Sequence, residues 1–230
     1  MKYLLTSAGI KNASINDALL ELLGKPISDA KALCIPTAIY PFSGGPGGAY
    51  RFISGRTNSP MCELGWKSLG VLELTALPSI DKDVWTAEVE KTDALLVFGG
   101  DVWYLRRWML ESGLADLLPS FRETVYVGIS AGSMVTAPVF GETYDDPKAP
   151  FVIDKGLGLV DFALLPHLDH EQHPESARAR VEKMAAEVPV PTYGIDDETA
   201  IKVVDGVVEV VTEGKWQLFT RGGVTQEARP

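Results

Sequence analysis

Thr124-Val125-Tyr126-Val127-Gly128-Ile129-Ser130-Ala131-Gly132-Ser133-Met134-Val135 is the stretch from which the rest of the chain is read. Residues 124–129 are a short, apolar, β-branched run, the pattern of a strand buried on both faces. A helix can open directly at Ala131, so Ser130 falls on the turn. Gly128 and Gly132 flank it and leave room for a sharp reversal. A serine on such an elbow exposes its Oγ. The first N–H groups of the following helix carry partial positive charge toward any oxyanion formed there. The G-x-S-x-G string makes Ser130 a candidate nucleophile; the competing reading is a serine that only caps a helix.

Outward from the elbow, apolar runs at 2–6, 31–36, 70–74, 94–98, 162–165 and 191–195 read as further strands. Helical periodicity fills 15–23, 62–69, 81–91, 104–112, 131–138 and 175–187. This alternation predicts an α/β fold, a mostly parallel sheet flanked by helices on both faces. Residues 199–204, 207–211 and 216–219 are β-branched and separated by Asp205-Gly206 and Gly214-Lys215, which predicts a C-terminal antiparallel meander at a sheet edge. The glycine-rich patch 41–48 reads as a loop. The 230 residues, 46% of them apolar, suffice for one α/β domain spanning 1–230.

Net charge is −10 with no run of Lys or Arg, which argues against a nucleic-acid partner. The first residues turn polar after two leucines, too short for a signal segment, and no apolar run approaches bilayer length. A soluble, cytoplasmic protein without a membrane partner is expected, as monomer or homodimer. Cys34 and Cys62 belong to no C-x-x-C pair and read as reduced structural thiols.

A serine hydroxyl needs a general base within hydrogen-bond reach, commonly His. The chain has three, His167, His170 and His173, all in one short stretch. His167 follows the apolar run 162–165, which places it at the carboxyl end of a strand, the edge where open α/β sheets bind ligands. His170 and His173 fall in a polar connection and are expected to face solvent. Their three-residue spacing would suit a metal only on a helix, and Pro166 and Pro174 bracket a loop, so no metal is expected. The orienting acid must come from another strand end. Asp196, Asp197 and Glu198 cluster after the run 191–195 and are all candidates.

These residues together resemble the serine peptidases of the dipeptidase E (aspartyl dipeptidase) and cyanophycinase family, whose fold is related to class I glutamine amidotransferases. The likeness lies in Gly128-Ile129-Ser130-Ala131-Gly132, in Phe98-Gly99-Gly100-Asp101 after an apolar strand, in Pro166-His167, and in Gly194-Ile195-Asp196-Asp197. It implies Ser130 as nucleophile, His167 as base and Asp197 as triad acid, with Glu198 or Asp196 as alternatives. It also implies an oxyanion hole from the N–H groups of Gly100 and Ala131, and no cofactor. Asp101 stands where the family carries Asn; an aspartate facing an oxyanion would oppose catalysis, so it is expected to cap the following helix. The family's substrate-binding Arg aligns with Ala177. Arg178 and Arg180 are the nearby candidates, against an exposed basic helix face. Asp145 and Asp146 are candidates for a substrate α-amino group, against a plain Asp-Pro turn.

The function this implies is hydrolysis of dipeptides or short peptides, with release of an N-terminal residue through an acyl-enzyme. An esterase or amidase on small acyl substrates and a catalytically silent binding domain are the alternatives.

Overall fold

The strands, in chain order, are β1 (Lys2–Thr6), β2 (Lys31–Ile35), β3 (Ser68–Val71), β4 (Ala94–Val97), β5 (Val125–Ile129), β6 (Val139–Glu142), β7 (Val152–Lys155), β8 (Ala163–Leu165), β9 (Thr192–Ile195), β10 (Thr199–Val204), β11 (Val207–Thr212), β12 (Trp216–Thr220) and β13 (Gly223–Ala228). Between them run helices α1 (Ala13–Leu23), α2 (Gly45–Ile53), α3 (Lys82–Glu90), α4 (Val102–Glu111), α5 (Leu114–Leu117), α6 (Ala131–Met134) and α7 (Arg178–Glu187). The computed structural model describes residues 1–142, 152–220 and 223–228.

A seven-stranded sheet runs β11-β10-β1-β5-β4-β2-β3. Strands β1 to β5 are parallel, and β10 and β11 close one edge antiparallel. The period of two along each strand divides its side chains between two cores. Tyr3, Leu5, Leu95, Val97 and Tyr126 face α3 and α4, with Trp85, Val89, Leu105 and Met109. Leu4, Leu96, Val125, Val127 and Ile129 face α1 and α2, with Ile15, Leu19, Leu22 and Phe52. Both faces are therefore dry, and every residue of β5 is buried.

A second, four-stranded sheet runs β13-β12-β9-β8. Helix α7 packs Val181, Met184 and Ala185 onto it beside Leu165 and Phe219. The C-terminal strands thus do not form one meander. β10 and β11 extend the main sheet, while Trp216–Thr220 pairs antiparallel with β9 instead. The turn after β11 redirects the chain, with the Lys215 carbonyl accepting from the Asp196 N–H at 3.1 Å.

Two local expectations fail together. Residues 62–69 hold no helix; they form turns that lead into β3, with Gly65 at φ 82 and the Trp66 indole donating to the Met61 carbonyl at 2.8 Å. The helix of this region is α2, which begins inside the glycine-rich patch. A Cβ on Gly45 would lie 2.6 Å from the carbonyls of Ile39 and Tyr40, and one on Gly48 2.8 Å from the Ile39 side chain. The glycines let α2 sit directly on the turn below it, so packing overrides poor helix propensity.

Candidate functional site

The register of the parallel strands brings Thr6 beside Ile129 and Val97 beside Gly128, so the ends of β1, β4 and β5 open on one edge. Ser130 is the next residue, with φ 51 and ψ −113. Positive φ in a residue with a side chain stores strain, about 1–3 kcal/mol, that the surroundings must hold. They hold it from several sides. The Ser130 N–H donates to the Thr6 carbonyl at 3.0 Å, and the Ser130 carbonyl accepts from Ser133 and Met134 at 2.8 and 2.9 Å. The buried Tyr126 hydroxyl reaches along β5 to the Gly132 carbonyl at 2.7 Å.

The glycines of the elbow are close-packed against backbone. A Cβ on Gly128 would meet the Gly132 carbonyl carbon and oxygen at 2.8 Å, and one on Gly132 would stand 2.4 Å from the Val97 carbonyl oxygen. Gly132→Ala is accordingly expected to destabilise the protein by ~2–3 kcal/mol through overpacking against β4. A lowered urea midpoint with an unchanged slope would show it; an unchanged midpoint would contradict this packing.

The Ser130 side chain makes no capping bond to α6. Among the described residues its Oγ is hydrogen bonded to nothing, His167 included, and the residue is only partly buried. Catalytic hydrogen bonds are often unformed until substrate arrives. Two N–H groups beside it are likewise unused among the described residues: Ala131, the first residue of α6, and Gly100. Gly100 has φ 142, and a Cβ there would lie 2.3 Å from the Ala38 carbonyl oxygen, so only glycine fits. Asp101 behaves as expected of a cap: its carboxylate accepts from the Tyr104 N–H at 2.8 Å and its own N–H donates to Ala38 at 2.8 Å. Phe98, in place of a glycine, stacks on Phe52 at 4.1 Å.

His167 also has positive φ, 61, just beyond β8. Its N–H donates to the Ser7 Oγ at 3.1 Å, and the Ser7 hydroxyl donates to the Ile195 carbonyl at 3.0 Å. Ser130 and His167 thus hang from consecutive residues, Thr6 and Ser7, at the end of β1. The role of Ser7 was not read from the sequence. Its signal is a buried hydroxyl just past an apolar strand, at the edge where the elbow opens.

Of the three candidate acids, Asp197 is the one on His167: Nδ1 lies 2.7 Å from Asp197 Oδ1. Asp196 accepts from Thr199 Oγ1 at 2.7 Å, from the Glu198 N–H at 3.1 Å and from the Lys215 N–H, which builds the turn. Glu198 accepts from the Asn12 side chain at 3.0 Å. Burial opposes ionisation of Asp197, but the His167 hydrogen bond and the charges of His167, His170 and Lys11 outweigh it and hold the carboxyl below its ordinary range. With Asp197 ionised, the hydrogen-bond network places the ring proton of His167 on Nδ1 and leaves Nε2 as an acceptor.

The lowered pKa carries a pH dependence of stability. The contribution of Asp197 is fully present above the unfolded carboxylate range, about 3.9, and is lost as pH falls through the folded value. Urea unfolding of Asp197→Asn between neutral and acid pH should show a flatter acid decline than the parent. Parallel declines would contradict this.

His170 and His173 do not simply face solvent. The N–H groups of His170, His173 and Ser176 donate in turn to the carbonyls of His167, His170 and His173 at 3.0, 2.9 and 2.8 Å. Successive i→i+3 turns eclipse residues three apart, so a loop bracketed by prolines still gathers all three rings. Among the described residues, no group of three or more His, Cys, Asp or Glu is arranged to hold a metal ion. Arg178 approaches Asp169 Oδ2 at 3.4 Å, and its N–H donates to Asp169 Oδ1 at 2.7 Å at the start of α7. Arg180, on the same helix, is half-buried. Asp145 and Asp146 lie outside the described residues.

A strained serine on a strand–helix elbow, free N–H groups beside it and a carboxylate–histidine pair on the same edge are the arrangement of α/β serine hydrolases. The model of peptidase family S51 matches residues 3–211, and the chain belongs to that family. It is 28% identical over 149 residues to Peptidase E of Nostoc sp. and 30% identical over 150 residues to a "Probable alpha-aspartyl dipeptidase" of Drosophila melanogaster. Each match covers 62% of this chain and 62% of the relative's length. The structure of a peptidase from an acI-B1 Actinobacterium superposes with a TM-score of 0.71 at 20% identity, covering 99% of this chain and 93% of that one, which shows a shared fold. No helix among the described residues is long and apolar enough to cross a membrane.

Proposed function

We propose that this protein is a serine peptidase that hydrolyses dipeptides or short peptides and releases an N-terminal residue. The observation that carries the reading is the attachment of Ser130 and of the His167–Asp197 pair to the adjacent residues Thr6 and Ser7 at the end of β1. Ser130 Oγ attacks the scissile carbonyl as His167 Nε2 takes its proton. The N–H groups of Gly100 and Ala131 receive the oxyanion, where one such donor is worth roughly 10²–10³ in rate. His167 then protonates the leaving amine, and water releases the acyl group by the reverse route. Asp197 keeps the imidazole in the required tautomer and offsets the charge it acquires. No cofactor enters this chemistry.

The reading extends to short peptides generally rather than to aspartyl dipeptides alone, since Arg178 already faces the Asp169 carboxylate. The free, buried thiols of Cys34 and Cys62 fit a reducing compartment, and we place the protein in the cytoplasm. Digestion of a short-peptide library, read by mass spectrometry beside ester substrates of matched acyl groups, tests the reading. Release of N-terminal residues supports it. Turnover of esters alone would replace it with an esterase.

A further inference from the structure

All three histidines of the chain meet at the proposed catalytic centre. The His173 ring stacks on His167 with centroids 4.3 Å apart and planes 14° from parallel. Its own Nδ1 is held by Glu175 Oε1 at 2.8 Å. The His170 ring packs against His173, with centroids 5.3 Å apart, and its Nε2 lies 3.6 Å from Asp197 Oδ2, the oxygen His167 does not use. Its Nδ1 accepts the Gln172 N–H at 3.1 Å, so neutral His170 carries its proton on Nε2, facing the carboxylate.

We propose that His170 and His173 are positioning residues that hold the His167–Asp197 pair in its working geometry, an inference that rests on the peptidase reading of Ser130 and His167. One hydrogen bond from Nδ1 to Oδ1 fixes a single point of the imidazole. The ring can still rock about that axis and carry Nε2 away from Ser130. A ring stacked on its face removes the rocking. The carboxylate has a corresponding freedom, rotation about its own χ2, which would exchange or tilt its oxygens. A donor facing Oδ2 opposes it. Glu175 and Asp197 are the acidic groups facing the cluster, and Lys11 adds a positive charge near Asp197.

The test is the second-order rate at which a fluorophosphonate modifies Ser130, in the parent and in His170→Ala, His173→Ala, His170→Gln and His173→Phe. Each Ala variant is expected to react about tenfold more slowly, the rate equivalent of a modest loss of orientation, with a melting temperature near the parent's. Gln, which keeps an N–H donor toward Oδ2, and Phe, which keeps a ring on the His167 face, should recover most of the rate. In the unmutated protein, nitrogen chemical shifts at neutral to alkaline pH should report His170 protonated on Nε2. Parental rates in both Ala variants, Gln and Phe variants as slow as Ala, or His170 protonated on Nδ1 would each overturn the proposal while Ser130 remained reactive. A folded parent unmodified at Ser130 would instead sink the peptidase reading, and this inference with it.

Discussion

Ser130→Ala is expected to lower peptide hydrolysis by about five to six orders of magnitude, to a residue of activity set by binding and the oxyanion donors alone. The fold should survive. The Ser130 hydroxyl makes no hydrogen bond among the described residues, and what holds the elbow is backbone and Tyr126. Removing Oγ therefore takes away the nucleophile and leaves Ala131 to open α6 as before. Thermal melting beside a steady-state assay separates the two effects. Activity within tenfold of the parent, in a protein that melts normally, would place the chemistry elsewhere.

Asp197→Asn should cost less but still on the order of 10³–10⁴ in kcat, although it changes few atoms. His170 presents its Nε2–H on the Oδ2 side, so the amide oxygen of the replacement is favoured there and its NH₂ turns toward His167 Nδ1. The imidazole must then accept at Nδ1 and carry its proton on Nε2. That nitrogen would face Ser130 as a donor and could not take the serine proton. The imidazolium of the reaction also loses its anionic partner. KM should change much less than kcat, since the carboxylate acts through His167. A loss confined to KM would mean that Asp197 binds substrate rather than orienting the base.

The elbow and the sheet around it were legible because their residues answer to local rules. A buried parallel strand must be apolar throughout, as β5 is, and the sharp turn after it admits little but glycine at 128 and 132. His167 was legible by scarcity, as the first of three histidines to follow a strand. Which acid hydrogen bonds to it was not legible from the residues alone. Asp196, Asp197 and Glu198 differ only in where a turn aims them, and that turn is closed by Asn12 and Lys215, distant in sequence. The same limit applies to α2, whose glycines read as a loop until the surface they pack on is known. It applies again to β12, since a β-branched run cannot state which of two sheets will pair with it. His170 and His173 were expected to face solvent because they fall in a polar connection, yet their rings gather on His167. Consecutive i→i+3 turns bring residues three apart together even in a polar loop.

The most direct test of the central claim is to treat the folded protein with a fluorophosphonate and map the adduct by peptide mass spectrometry. A single adduct on Ser130, absent from Ser130→Ala and prevented by prior denaturation, is the expected result. A folded protein that cleaves short peptides while Ser130 stays unmodified, or that carries the adduct on another residue, would contradict it.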